Sequence, residues 1–193
     1  MKTKTTYLVL LAVLIMTIST LTGCASPGGS TGIEKRAYVQ DMRSQAIAQL
    51  YQHESGARSE IANAPGYAVF EAVKTQFLIT TTGNAYGIVR DNQTGADTYM
   101  SAFSAGAGFG MGVKGFRAVV IFKDRATMNA FVNKGWVFGA SGTADATSDS
   151  DGATVSGSMA FGDGMKVYTF TEKGLMAGAS LNGVKVWKDE KLN

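Results

Sequence analysis

The residues able to carry nucleophilic or metal chemistry are few. In 193 residues there is one cysteine, Cys24, and one histidine, His53. A Ser-His-acid triad would have to use His53, yet no GxSxG elbow stands at a strand-to-helix turn, and "GASG" at Gly139 to Gly142 lacks the spacing. Cys24 and one imidazole do not make a soft-metal ligand set. The acidic loop "DATSDSDG" places Asp149 and Asp151 before Gly152 as a calcium loop would. Its first ligand position, however, holds Thr147, and Ser158 replaces the bidentate glutamate at the twelfth. These patterns point away from catalysis and from a bound metal or other cofactor.

A run of glycines is the next candidate. In "SAGAGFGMGVKG" the glycines Gly106, Gly108, Gly110 and Gly112 recur on period two, whereas a dinucleotide loop needs G-x-G-x-x-G at a strand-to-helix turn. No G-K-[ST] follows, so a P-loop fails as well. Period two is strand periodicity, with the glycines on one face and Ala105, Ala107, Phe109, Met111 and Val113 on the other. A bare face of this kind implies close approach of another layer or of a ligand.

Cys24 has a different chemistry open to it. Lys2 and Lys4 precede the apolar run "YLVLLAVLIMTIST", which is shorter than a membrane span and reads as a secretory leader. "LTGC", Leu21 to Cys24, stands directly behind it and resembles the lipobox of bacterial lipoproteins, in which the cysteine becomes the acylated first residue. Residues 1–23 are then a leader, 24–32 a flexible tether and 33–193 a single domain. By resemblance to the bacterial sorting pattern, Ala25 after the cysteine implies the outer membrane, facing the periplasm.

The mature chain of about 170 residues is long enough to bury one ordinary core. Without another cysteine it holds that core together with no disulfide. Of 18 basic and 15 acidic side chains, Lys2 and Lys4 leave with the leader, so the charge is close to balanced and nucleic acid is not an expected partner. The basic residues that could meet an anionic headgroup are Lys35, Arg36 and Arg43 on a first helix and Lys114 and Arg117 around the glycine strand.

The elements that position these groups follow from periodicity. Val39, Met42, Ala46 and Leu50, widened by Ile47 and Tyr51, predict an amphipathic helix over Ile33 to Tyr51, with Arg36, Gln40 and Arg43 on another face. A short turn over "RSEIANA" stops before Pro65. Then come "YAVFEAV", "QFLITTT", "AYGIVRD", "TYMSAFS", "AGFGMGV" and "FRAVVIF", read as separate strands, with "DNQTG" as a hairpin turn. Asp124 caps a second helix, "RATMNAFVNK", closed by Gly135. Further strands follow in "WVFGASG", "ATVSGSMAF", "MKVYTFT", "LMAGASL" and "VKVWK". The expected fold is α+β: a mainly antiparallel sheet, sandwich or barrel-like, with an N-terminal helix and one helix inserted between strands.

The wording and order of "GARSEIANAPGYAVFEAVK", "AFSAGAGFGMGVKGFRAVVIF", "MNAFVNKGWVFGAS" and "GLMAGASLNGVKV" resemble the SYLF domain family over about Tyr51 to Lys188. The chain departs from that pattern at "TTTGNAYGIVRD", where the family more often has a second glycine after Tyr86-Gly87. The resemblance implies lipid binding; eukaryotic members bind phosphoinositides and some fungal ones bind and bundle actin. The expectation is therefore a lipoprotein whose domain binds membrane lipids, anionic phospholipids in particular, without catalysis. The alternative is an envelope structural or protein-interaction module. The five cations are a physical choice, not a family assignment.

Overall fold

Thr31 sets the start of helix α1, Gly32–His53, in a computed structural model that describes residues 26–138, 158–161, 164–171, 174–175 and 182–193. Its hydroxyl accepts from the Glu34 N–H at 3.2 Å, and the Glu34 carboxylate accepts from the Thr31 N–H at 3.0 Å, which closes a capping box. Val39, Met42, Ala46 and Leu50 are buried, as their spacing predicts. The chain breaks at Glu54 to Gly56 and resumes as α2, Ala57–Asn63, which stops before Pro65.

The six short runs expected next are two strands, β1, Gly66–Asp91, and β2, Asp97–Phe122, joined at the expected "DNQTG" turn. Glycine misleads here because it stands where backbones touch, not where the chain turns. A Cβ on Gly87 would collide with the Val69 carbonyl oxygen and one on Gly66 with that of Arg90, while one on Gly83 would come 3.1 Å from that of Val73. All three neighbours belong to β1 itself, so β1 doubles back and its two halves lie side by side. Only residues without a side chain allow this approach.

After β2 comes α3, Arg125–Lys134, with Asp124 as N-cap and Gly135 at its C-terminus in the left-handed region (φ 71°). The remaining described strands are β3, Trp136–Phe138, β4, Ser158–Phe161, β5, Met165–Thr171, β6, Gly174–Leu175, and β7, Asn182–Lys188. All of these strand pairings are antiparallel and all seven strands form one sheet. Strand β2 pairs with β1 along one edge; on the other, Met100 to Gly106 pair with β7 and Arg117 to Phe122 with β5. The hydrogen-bonded order is β3, β7, β2, β5, β4, with β1 also paired to β2 and β6 to β5. The expected α+β fold, a mainly antiparallel sheet with an N-terminal helix and one helix inserted between strands, is present.

Side-chain alternation divides the core in two. Val69, Tyr86, Ile88, Tyr99, Val119, Ile121, Tyr168 and Phe170 pack with the buried stripe of α1. Ala68, Phe70, Val89, Met100, Val120, Phe122 and Val167 pack on the other side with Met128 and Phe131 of α3. In β1 the even-numbered Phe70 and Ile88 fall on opposite sides, because a register shift between Leu78 and Thr80 turns the alternation over. The glycine run lies inside β2 as expected, with Gly106 opposite Thr81 and Gly112 opposite Gln76. How its faces pack lies outside the described side chains, and all of "DATSDSDG" lies outside the described residues.

Candidate functional site

Helix α1 is bound to the sheet along both flanks, and this determines which of its charges remain available. On one flank Arg36 Nη1 donates to the Leu192 carbonyl at 3.3 Å, Gln40 Nε2 to the Tyr99 hydroxyl at 3.0 Å, and Arg43 Nη1 to Asp97 Oδ1 at 2.8 Å. Asp97 also receives Arg90 at 3.1 Å. On the other flank the Tyr38 and Tyr86 rings meet at 6.0 Å, and Gln45 Oε1 accepts from Arg117, whose Nε donates to Glu71 at 3.1 Å. Burial, followed by hydrogen bonding to Tyr38 and the Glu71 charge, raises the Tyr86 phenol far above its ordinary value. A phenol so placed is neutral at every physiological pH and serves as a packed, hydrogen-bonded wedge.

The five cations singled out in the sequence therefore separate. Arg43 and Arg117 sit in ion pairs, and Arg36 reaches the C-terminal tail. Lys35 carries no ion pair among the described residues. The Lys114 side chain lies outside the described ones. Arg36 and Arg43 share a flank, whereas Arg117 meets α1 from the opposite one. The sole histidine, His53, is exposed in the last turn of α1, and Cys24 precedes the first described residue.

The start of α1 is tied down by side-chain hydrogen bonds. Ser30 N–H and hydroxyl both donate to Glu34 Oε2, at 2.7 and 2.8 Å. These amides, Ser30 first and Thr31 next, hold the Glu34 carboxyl at about 2 against an ordinary 4.5. Gly28 lies flat on the Tyr38 ring: a Cβ there would come 2.8 Å from ring carbon Cδ2. Four residues after Cys24, the chain is thus already against the helix and its tyrosine.

Beside that helix terminus the sheet presents an uncovered aromatic face. Tyr86, Ser101 and Trp187 stand abreast on β1, β2 and β7, and Phe103 pairs with Lys185 in the next outward row. Val184 and Val186 point into the core under α3, so Lys185 and Trp187 take the opposite side, the α1 side. Trp187 is 40% and Phe103 41% exposed. The C-terminal tail borders this face: Asp189 N–H donates to the Tyr99 carbonyl at 3.0 Å, and the Asn193 side chain both donates to that carbonyl and accepts from the Tyr99 N–H. Sequence reasoning missed this patch. The available signal was Trp187 in phase with Lys185 in "VKVWK", a pattern that a buried strand face does not produce.

A second concavity, about 510 Å³, lies between Pro65, Asn92, Lys123 and Arg125. Asn92 Nδ2 donates to the Ile61 and Ala64 carbonyls, and Arg125 forms a bidentate pair with Asp91 at 2.9 and 2.6 Å. That pair, with the turn amides of Thr94 and Gln93, holds Asp91 well below the usual carboxylate range. Its polar groups thus join α2, the hairpin turn and α3. Among the described residues no buried side-chain polar atom lacks a partner, no cluster of His, Cys, Asp and Glu could hold a metal, and no helix is long and apolar enough to cross a membrane.

Comparison with known proteins adds three likenesses. Residues 103–193 match the profile of the family described as "Las17-binding protein actin regulator" (Ysc84). Beta cell expansion factor A of Aeromonas veronii is 32% identical over 162 residues, covering 84% of this chain and 60% of that protein. SH3 domain-containing YSC84-like protein 1 of Xenopus laevis is 31% identical over 128 residues, covering 64% of this chain and 38% of that protein. The chain spans less than two thirds of the length of either relative.

Proposed function

We propose, since this chain belongs to the SYLF domain family, that it is a lipoprotein held by Cys24 in the outer membrane, facing the periplasm, whose domain binds anionic phospholipid headgroups without catalysis. The observation that carries the reading is the continuity between lipobox and fold. "LTGC" ends four residues before Gly28, which already rests on Tyr38, so an acylated Cys24 would hold the start of α1 at the bilayer surface. Two or three acyl chains, each buried methylene contributing about 0.8 kcal/mol, suffice for stable attachment. Lys35, Arg36 and Lys114 are the cations proposed to meet headgroups; the ion pairs of Arg43 and Arg117 turn their charge inward. Vesicle flotation of protein beginning at Ala25 tests the headgroup claim: binding should rise with anionic lipid content, and equal recovery with neutral vesicles would refute it.

The name of the matched family, a Las17-binding protein, favours a second reading in which the surface recruits a protein partner and lipid matters only through Cys24. Crosslinking in intact membranes separates the two. A stable protein adduct with no vesicle binding by the unanchored domain would favour the second.

A further inference from the structure

The aromatic face beside the start of α1 has no covering element among the described residues, and its position relative to the tether says what lies against it. We infer that the sheet face bearing Phe103 and Trp187, with Lys185 beside them, lies against the headgroup region of the same bilayer that receives the acyl chains of Cys24. This rests on the lipoprotein reading above.

The geometric constraint comes from the tether. Four residues separate Cys24 from Gly28, and a fully extended chain covers at most about 3.6 Å per residue, so the acylated cysteine lies within roughly 14 Å of Gly28. Gly28 touches Tyr38, Tyr38 packs on Tyr86, and Tyr86 is abreast of Ser101 and Trp187. With strands about 4.8 Å apart, the Trp187 backbone is about 10 Å from that of Tyr86. Anchor and aromatic face are thus at the same end of α1. Ile33, in the first turn of that helix, is 74% exposed, an apolar residue at the end nearest the anchor.

The composition of the face suits an interface and not a protein core. Trp and Phe supply rings that partition to the level of the headgroups, and a lysine set beside them reaches phosphate oxygens. Beside Phe103 and Trp187, Lys185 carries no ion pair among the described residues. Two acids border them. Asp189 is engaged, accepting from Ser101 Oγ at 3.0 Å and from the Lys191 N–H at 3.0 Å, while Glu190 is exposed at the rim.

Tryptophan emission tests the inference on the mature acylated protein reconstituted in vesicles. The chain has two tryptophans, Trp136 and Trp187, so Trp136→Phe isolates Trp187. The expected result is a shift of Trp187 emission to shorter wavelength and quenching by phospholipid brominated near the headgroup. If Trp136→Phe folds poorly, the difference in quenching between the natural chain and Trp187→Phe gives the same quantity. Vesicle-bound protein with the acyl mass on Cys24 but unquenched Trp187 emission would overturn this inference alone. A Cys24 without acyl mass would remove the anchoring reading and this inference with it.

Discussion

Two glycines in the paired strands should respond oppositely to the same added methyl. At Gly87 an alanine Cβ would collide with the Val69 carbonyl oxygen and come 2.5 Å from the Phe70 ring. The carbonyl belongs to β1 backbone and the ring is packed on Phe131 at 6.2 Å, so neither side can give way cheaply. Overpacking of this kind costs about 1–3 kcal/mol. In a domain of about 170 residues each kcal/mol moves Tm by roughly 2–4 °C, so Gly87→Ala should lower it by about 2–12 °C. At Gly115, paired with Val73, nothing lies within 4 Å of the added Cβ. There the lower entropy of the unfolded chain should make Gly115→Ala neutral or stabilising by up to about 1 kcal/mol. Thermal or guanidinium unfolding followed by circular dichroism measures both. Equal stability of the two variants would refute the fold-back of β1 on itself.

Other outcomes follow from the start of α1 and its charges. Thr31→Ala removes the hydroxyl of the capping box and should destabilise by about 1 kcal/mol, seen as a lower unfolding midpoint. Glu34 is held at about 2, below its ordinary 4.5, so its contribution is fully present above pH 4.5 and is lost as pH falls through about 2. The Ser30 and Thr31 amide shifts should titrate in that window, and Glu34→Gln should abolish the transition. Lys35→Gln should weaken anionic-vesicle binding about fivefold, corresponding to about 1 kcal/mol for one cation near the surface. Arg43→Gln should leave that affinity unchanged and lower stability, because its guanidinium is paired with Asp97.

Much of the fold was legible because its signals are local. The 3-4-4 spacing of α1 selects the four residues that are buried, and Asp124 and Gly135 bound α3 as capping chemistry requires. Strand continuity was not legible, because glycine has two uses. In a single sequence Gly83 and Gly87 look like punctuation, whereas in three dimensions they admit a distant stretch of the same strand. The charges show the same division between local and long-range information. Periodicity placed Arg36, Gln40 and Arg43 on one face of α1, but only their partners Leu192, Tyr99 and Asp97, some 50 residues away or more, show what that face is bonded to. Phe103 and Trp187 were hidden in turn by being single aromatics on separate strands, adjacent only through the β2–β7 register.

The central claim is that the folded domain itself recognises anionic lipid, apart from its anchor. The most direct measurement is the affinity of protein beginning at Ala25 for anionic and neutral vesicles over a salt series. Between 0.01 and 0.15 M salt the screening length falls from about 30 to about 8 Å. The account predicts binding to anionic vesicles that weakens steadily over that range and stays well above binding to neutral ones at its low-salt end. Affinity that is absent, or indifferent to both salt and lipid charge, would contradict it.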